Sequence, residues 1–580
     1  MDAFLDSMNE FLTAVNGVIW SDFVLYAVLA TGLLFTVWSG FCQYHALAHG
    51  SAVTLGRYDE HDDPGAINHF QALSAALSAT VGLGNIGGVA VAIALGGPGA
   101  MFWMWVVGLV GMALKTTEVT QAMIFRNTDD PENPHGGPMW VVDQGIRKHF
   151  PAFKVLARPL GILFCITLLI ATITGGNMFQ AWNVGVVTNK AIPSFPVPVV
   201  GFILAILVGL TILGGIKRIG AVAGRVVPLM CALYLLAATY VLFVNADQLP
   251  ATMRLIFTSA FNPAEAENAF IGGTFGLAFL WGMKRALFSS EAGQGSSPIA
   301  HSAAKTNEPV REGVVAGLEP FIDTLVVATL TSLVILSSGA WNRDGEATLT
   351  EVPSFTAAQE QGAWSLPETE LPAKSPEAER VSGPWAPADN VFLVARYGEV
   401  DEDTGDNLHR VNGVVKRADD GQLRVEWEPV GGEDEAIAET PKVEHPVVYR
   451  DYPGAALTSY AFDLAAPGLG TWLVMIASWL FAISTMISWS YYGEQGIVYI
   501  AGEGAVLPYK VLYCLFILAA CSGYITTDSD LDNLTALGTG VMLWVNIPIM
   551  LLFGAVAMRA YKDYFKRLRD GEFESTVKKK

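Results

Sequence analysis

The chain has 580 residues, of which 52% are hydrophobic and only 16% charged, and its mean hydropathy is +0.39. Soluble domains carry about 25% charged residues, so this composition excludes an ordinary soluble protein and predicts a chain that lies mostly in a membrane. The formal net charge of −20 is concentrated, because residues 340–465 contain 25 acidic and 10 basic residues.

Eleven apolar runs along the chain are long enough to cross a bilayer, which takes about 20 residues. We therefore predict an all-α polytopic membrane protein with eleven transmembrane helices. The runs lie near residues 22–41, 72–95, 99–124, 159–182, 196–214, 222–244, 269–290, 314–338, 469–491, 507–525 and 535–558.

Loop charge orients these spans, since cytoplasmic loops carry an excess of Lys and Arg. With the N-terminus outside, the inner loops and the C-terminal tail collect nearly all the basic residues. Apart from one long insert, only Lys190 and Arg254 fall outside. We expect a multi-pass protein of the cell (inner) membrane, with the N-terminus and the insert outside and the C-terminus cytoplasmic.

The second run contains a polar, glycine-rich knot in the stretch "SATVGLGNIGGVAVAIALGGPGAMFWMW". Gly82 and Gly84 weaken the helix there, and Thr80 and Asn85 add side-chain oxygens. Broken helices at membrane depth occur where they line a cavity, and their freed backbone groups can hold a carboxylate or a cation. The alternative is a continuous helix whose glycines allow close packing.

Two other spans carry polar and aromatic side chains on one helical face. Asn177 and Gln180 are spaced i, i+3, and Thr485, Ser488 and Trp489 are spaced i, i+3, i+4. Each face alone is explained as well by hydrogen bonds between helices. Together with the glycine knot, they favour one shared site for a small amphipathic molecule and a hard cation.

Ionisable residues inside spans are candidates for function. Asp323 is a possible gate or part of a cation path. Lys284, Arg285 and Glu291 lie where a span passes into an inner loop, and they are candidates for an inner gate. Snorkelling of the two basic side chains to the membrane surface is an equal alternative.

The segment of about 340–467 interrupts the membrane pattern on the outer side. Its first part is rich in Pro and Glu and reads as an extended or mobile linker. The later stretch "HRVNGVVKRADDGQLRVEWEPV" alternates apolar and polar residues around Asp420-Gly421, which is typical of a β-hairpin. We expect a small, acidic, β-rich outer insert.

Motifs of ATP-driven or hydrolytic enzymes are absent from the sequence: it has no G-x-x-x-x-G-K-[ST] loop, no H-E-x-x-H and no G-x-S-x-G. The chain is therefore not expected to be an enzyme, and no nucleic-acid partner is expected. Two functions stay open, a transporter driven by an ion gradient and a transporter-like sensor that docks partners through the insert. A channel is less favoured, because no ring of charges or repeated filter sequence occurs.

Four motifs resemble the alanine or glycine:cation symporter family of sodium/amino-acid transporters. The most specific is "GGPGAMFWMWVVGLVGMALKTTEV" (96–119). The others are "GNMFQAW" (176–182), "LFSSEAGQGSSPIAHSAAKTNEP" (287–309) and "FIDTLVV" (321–327). The resemblance covers roughly residues 20–338 and 468–560 but not the insert.

The resemblance implies a leucine-transporter-like core, in which a 5+5 inverted repeat follows one extra helix. The unwound helices would lie at 80–88 and about 273–283, with the substrate between them. The implied substrate contacts are Gly82, Gly84, Asn85, Asn177, Gln180, Trp281, Thr485 and Trp489. The implied sodium ligands are Thr80, Ser484, Thr485 and Ser488.

The expected organisation has four parts, a first transmembrane part (1–338), the acidic insert (339–467), a second transmembrane part (468–562) and a basic tail (563–580). The expected function is sodium-coupled import of a small neutral amino acid, alanine or glycine, by alternating access. The partners are then the amino acid, the co-transported sodium ion and the lipid bilayer.

Overall fold

The computed structural model is a bundle of helices with one β-rich insert between residues 347 and 450. It describes residues 2–60, 63–261, 275–358, 362–398, 407–432, 437, 439–523 and 529–573.

The described residues from 2 to 261 form eleven helices of eight or more residues in the bundle. They are α1 (Asp2–Ile19), α2 (Asp22–Ser39), α3 (His69–Thr80), α4 (Val89–Gly96), α5 (Ala100–Ile124), α6 (Pro138–His149), α7 (Lys154–Ile173), α8 (Phe179–Ala191), α9 (Val197–Ile212), α10 (Gly215–Val244) and α11 (Leu249–Ser259). Short helical turns join α2 to α3 at 42–54, and π-helical turns precede α4 (Gly84–Gly88) and α8 (Thr174–Met178).

The described residues from 275 onward form nine further helices. They are α12 (Phe275–Ser290), α13 (Ser297–His301), α14 (Pro309–Ala316), α15 (Thr329–Ser337), α16 (Pro376–Ser382) in the insert, α17 (Ala455–Ala465), α18 (Leu469–Ala501), α19 (Val506–Ala520) and α20 (Ser529–Arg569). The turns Leu318–Pro320 and Phe321–Ala328, the second of π type, join α14 to α15 into one span.

The helices have the lengths and apolar character of membrane spans. In the described part of the chain, eight helical segments are long and apolar enough to cross a membrane, and the bent pair α3 and α4 raises the count to nine. The prediction of a multi-pass helical membrane protein is confirmed. Two of the predicted spans correspond to α9 and α12, which have 16 residues each in the described part of the chain. Because a spanning helix takes about 20 residues, the count of eleven spans and the 5+5 repeat stay predictions.

The glycine-rich knot interrupts the second span. Helix α3 begins with a capping box, in which Asn68 accepts from the backbone N–H of Gln71, and it ends at Thr80. The chain then turns through residues 81–83, and the two halves of the span meet at 52°. Glycine suits position 82 in this turn because a Cβ there would lie 3.2 Å from Oγ1 of Thr485, and Gly84 begins the π-helical turn that follows.

A second break follows α12 rather than lying inside it. The implied unwinding at 273–283 is wrong for residues 275–283, which are helical; residues 273 and 274 lie outside the described residues. The chain leaves helical geometry at 291–296, where Gly293 and Gly295 have φ of 83° and 84°. The helix ends at Ser290, and Glu291 directly after it has a left-handed φ of 52°, the conformation that commonly follows the last residue of a helix.

The insert is built on an antiparallel sheet in the order β1-β10-β5-β6-β7-β4, with β9 also paired to β5, and a smaller sheet in the order β2-β3-β8. The predicted hairpin is confirmed, because β6 pairs with β7 around Asp420-Gly421. The predicted linker contains strands β1 to β4. The strands are β1 (Ala347–Thr348), β2 (Thr356–Ala357), β3 (Ala363–Ser365), β4 (Thr369–Glu370), β5 (Asn390–Arg396), β6 (Leu408–Arg417), β7 (Leu423–Trp427), β8 (Val430–Gly431), β9 (Lys442–Val443) and β10 (Val447–Arg450).

The bundle has two ends, which we name by what lies there. The span from α14 to α15 begins where Arg567 of the C-terminal segment forms an ion pair with Glu308 (2.7 Å), and it ends next to the insert. We call the first end the tail side and the second the insert side. On the insert side, Arg343 donates to the carbonyl of Arg450 (2.7 Å), and Tyr452 donates to Glu346 (2.6 Å).

Candidate functional site

The side chain of Asn85 organises the break between α3 and α4. Its Oδ1 accepts the backbone N–H of Gly82 (2.9 Å), and its Nδ2 donates to Oδ1 of Asp323 (2.6 Å) and to Oγ of Ser289 (3.1 Å). Asn85 is fully buried. The break is therefore held by polar contacts inside the protein and is not exposed to lipid, as a non-helical segment at membrane depth requires.

A small polar cavity lies against this break, about midway along α18. It brings together seven of the residues predicted for the site, namely Thr80, Gly82, Gly84, Gln180, Glu291, Thr485 and Trp489. The rest of the lining is Ala79, Leu83, Ala171, Gly175, Phe288, Ser289, Gln294, Thr535 and Thr539.

Gln180 presents an unused acceptor at this cavity. Its Nε2 donates to the carbonyl of Gly175 (3.0 Å), while the buried Oε1 has no hydrogen-bond partner among the described residues. The Oε1 atom of Gln294, also at the cavity, is in the same state. A buried polar atom without a partner costs free energy, so two such acceptors favour a ligand that donates hydrogen bonds.

The ring of Trp489 fits against the π-helical turn before α8. A Cβ placed on Gly176 would lie 2.4 Å from the Trp489 ring, which only glycine avoids. On the other side of the cavity, a Cβ on Gly82 would lie 3.2 Å from Oγ1 of Thr485. Close approach of backbone and side chains therefore sets the small size of the cavity.

Hydroxyl groups join α3 to α18 next to the cavity. Ser78 Oγ lies 2.5 Å from Ser488 Oγ and donates to the carbonyl of Ser484 (2.7 Å), and Thr485 donates to the carbonyl of Ser78 (3.1 Å). Ser484 itself donates to the carbonyl of Phe481 (2.8 Å). Hydroxyl and carbonyl oxygens are the ligands that hard cations prefer.

Asp323 is a fully buried carboxylate surrounded by neutral donors. Besides Asn85, Ser289 and Thr324 each donate to its Oδ2 at 2.8 Å. Within the described ranges, no ion pair involves Asp323. An isolated buried charge is costly, so this geometry favours a cation or a proton as its partner.

Four of the predicted residues lie away from the cavity, namely Asn177, Trp281, Lys284 and Arg285. Asn177 donates to the carbonyl of Tyr513 in α19 (2.8 Å). The ring of Trp281 packs under Lys284 and Arg285, whose Nζ and Cζ atoms lie 5.8 and 5.7 Å from its centre. Of the predicted gate residues, Glu291 lines the cavity and accepts a hydrogen bond from Ser296.

Sequence reasoning missed Ser78, Ser289 and Gln294. Ser78 lies one helical turn before Gly82, and this spacing was a usable signal. A hydroxyl at that position lies on the same helix face as the start of the knot, and in the structure it contacts α18. Ser289 lies just before the second break and Gln294 within it, and the place of this break at 291–296 shows only in the folded chain.

The polytopic bundle with a polar cavity at a broken helix is the architecture of a membrane transporter. The chain belongs to the sodium:alanine symporter family, whose model matches residues 5–367 and 442–579. It is therefore a transporter of the symporter class and not an enzyme. The unmatched residues, 368–441, fall within the insert.

Three relatives illustrate the similarity. The chain is 31% identical over 563 residues to the sodium/alanine symporter AgcS of Methanococcus maripaludis, covering 97% of this chain and 98% of the relative. It is 30% identical to the putative sodium/proton-dependent alanine carrier protein YrbD of Bacillus subtilis, covering 97% and 94%. It is 33% identical to the probable sodium/glutamine symporter GlnT of the same species, covering 62% and 71%. These names describe symporters and carriers, so the sensor alternative gains no support.

Proposed function

We propose that this protein imports a small neutral amino acid, alanine or glycine, together with sodium, by alternating access. The main observation behind this proposal is that a broken helix and two amide oxygens without hydrogen-bond partners among the described residues lie at one buried cavity, next to a cluster of hydroxyl groups. The names of the relatives agree with this substrate class. Because cytoplasmic loops are rich in Lys and Arg, the tail side is the cytoplasmic side in this proposal, and the membrane is the cell membrane.

The amino acid is proposed to lie in the cavity with its carboxylate toward the break at Gly82 to Gly84. Backbone N–H groups at the start of a helical segment favour a negative charge. The ammonium group then faces the unused Oε1 atom of Gln180, which accepts a hydrogen bond from it. Trp489 and Phe288 leave room for a small side chain only.

Sodium is proposed to bind where α3 and α18 cross. The oxygens available there are the hydroxyls of Ser78, Thr485 and Ser488 and the carbonyls that these groups now contact. The backbone near Thr80 and the hydroxyl of Ser484 complete the proposed ligand set. The ion would replace hydroxyl hydrogen bonds by coordination, and it would hold α3 against α18.

Coupling follows from the short path between the two proposed sites. Thr80 ends α3, and two residues later Gly82 is held by Asn85. A sodium ion that fixes the end of α3 also fixes the backbone that receives the carboxylate. Each ligand then favours the conformation that binds the other, which is the linkage that symport requires.

The test is amino-acid uptake by proteoliposomes in which sodium and pH gradients are imposed separately. We expect sodium-driven uptake of radiolabelled alanine or glycine, and at least a tenfold loss in Gln180→Ala and in Thr485→Ala. Thr211→Ala is the matched control, because the hydroxyl of this threonine donates to the carbonyl of Leu207 in its own helix, away from the cavity. Normal uptake by both site variants would show that the cavity is not the substrate site.

A further inference from the structure

A second cluster of ionisable side chains lies buried toward the tail side, apart from the hydroxyl cluster. It joins α3, α5, α13 and the span that begins with α14. Each of its members is 3% exposed or less. They are His69, Lys115, Glu118, His301, Glu312 and Glu319.

His301 lies at the centre of this cluster, between two carboxylates. Its Nδ1 is 2.5 Å from Oε1 of Glu312, and its Nε2 is 2.7 Å from Oε1 of Glu319. A neutral imidazole carries one N–H and one lone pair. One of the two contacts would then place a lone pair against a carboxylate oxygen, unless an additional proton is present.

The surrounding charges favour that additional proton. The ionisable groups that face His301 or its carboxylate partners from neighbouring elements are His69 in α3, Lys115 and Glu118 in α5, Arg126 after α5, Glu291 after α12 and Tyr492 in α18. The two carboxylates that contact His301 are unequally compensated, because Glu319 lies 3.3 Å from Nζ of Lys115, whereas the ion-pair partners of Glu312 among the described residues are the two histidines. Uncompensated buried charge is strongly unfavourable.

The contacts of Lys115 do not remove this imbalance. Its Nζ lies 3.3 Å from Glu319 and 3.6 Å from Glu118, and it is fully buried with no hydrogen bond among the described residues. One ammonium group is thus shared by two carboxylates. Glu312 has no contact with Lys115 in the structure, and its neighbours are the two histidines.

The cluster approaches the protein surface at His69. Nδ1 of His69 contacts Glu312, and its Nε2 lies 3.9 Å from Oδ1 of Asp59, a residue whose side chain is 44% exposed. Hydrogen bonds therefore run from His301 through Glu312 to His69, whose buried Nε2 has no hydrogen-bond partner among the described residues and lies near Asp59. Such a series is suited to moving a proton.

We infer that His301, held between Glu312 and Glu319, is a proton-binding site that holds a proton while the tail side of the bundle is closed. Burial by itself would lower the pKa of His301, but its hydrogen bonds to the two carboxylates outweigh burial and raise the pKa to about 9. The proton joins α13 to the span that contains both carboxylates. Opening of the tail side would separate them and release the proton through His69.

Only the proposed release of the proton when the tail side opens rests on the proposed function. Whether His301 binds the proton can be tested without a transport measurement. The experiment uses the full chain in lipid nanodiscs, with the imidazole rings labelled with ¹⁵N and followed by NMR between pH 6 and 10. We expect one histidine to keep both ring nitrogens protonated at pH 8, where an ordinary histidine with a pKa near 6.5 is neutral. That signal should disappear in His301→Gln and remain in His445→Gln, which changes an exposed histidine of the insert.

A second variant keeps the test decisive if His301→Gln does not fold. Glu319→Gln removes one negative acceptor, so the same signal should titrate at least one pH unit lower. Finding all imidazoles neutral at pH 8 in the unmodified chain would overturn the inference, as would a midpoint that Glu319→Gln does not move. Sodium-driven uptake is a separate measurement, so either hypothesis can fail while the other stands.

Discussion

Asn85 shows how one residue links two features that the sequence presents separately. The glycine knot and the acidic residue at 323 are more than 230 positions apart, and their sequence context predicts a substrate site for one and a cation path for the other. In the structure, Asn85 holds the backbone of Gly82 with one atom and the carboxylate of Asp323 with another. A change in the charge state of Asp323 therefore acts directly on the break.

This contact gives a prediction for Asp323→Asn. The amide keeps the size of the side chain but removes the negative charge that favours a cation near the break. We expect the sodium concentration for half-maximal uptake to rise about tenfold, which corresponds to about 1.4 kcal/mol. The measurement is uptake in proteoliposomes as a function of external sodium, with Asp420→Asn in the exposed hairpin of the insert as control. An unchanged sodium dependence would remove Asp323 from the cation path.

Residue-level prediction failed where the helix is not of α type. Asn177 and Gln180 share a face only if the turn between them is a regular α-helix, and Asn177 lies in the π-helical turn Thr174–Met178. The wider turn rotates Asn177 toward Tyr513, while Gln180 stays at the cavity. A sequence pattern with a fixed period cannot reveal this change of period.

At the scale of elements, local patterns were predictable and contact-dependent breaks were not. The hairpin β6–β7 follows from alternation and from Asp420-Gly421, where Gly421 has φ of 83°. The break at 291–296 depends on neighbours distant in sequence. A Cβ on Gly295 would lie 2.4 Å from Pro138, and one on Gly293 would lie 2.9 Å from Ile547.

The junction of α13 with the α14 span predicts how stability depends on pH. The pKa of His301 in the folded protein, about 9, lies above that of an unfolded histidine, about 6.5. Its stabilising contribution is therefore fully present below about pH 6.5 and is lost as the pH rises to 9. The loss is on the order of 3 kcal/mol.

Thermal unfolding of the unmodified chain, His301→Gln and His445→Gln at pH 6.5, 8 and 9.5 measures this dependence. We expect the unmodified chain and His445→Gln to lose more stability between pH 6.5 and 9.5 than His301→Gln does. Parallel pH profiles for all three proteins would contradict the assignment of the shift to His301.

At the scale of the whole molecule, the insert lies next to α17, the helix that covers the break between α3 and α4 on the insert side. Thr458 in α17 donates to the carbonyl of Ile86 (2.8 Å), and a Cβ on Gly87 would lie 3.0 Å from the backbone of Ala455. A cavity between the insert and the bundle is lined by Lys190, Arg450 and Asp463 among others. The interrupted membrane pattern at about 340–467 and the loop charges predicted an outer insert but could not predict this contact.

Removal of the sheet tests whether the insert takes part in transport. Strands β1 and β10 pair Thr348 with Val447, so an Asn-Gly turn can replace residues 349–446 without moving the chain ends. This deletion keeps α17 and the contact of Tyr452 with Glu346, and it contains the residues 368–441 that the family model does not match. Because every residue of the buried cavity is retained, we expect sodium-driven uptake within about twofold of the full chain, measured at equal protein density in proteoliposomes. If the shortened protein folds and inserts but loses uptake, the cavity beside Arg450 belongs to the transport route, and Arg450→Ala in the full chain should then reduce uptake as well.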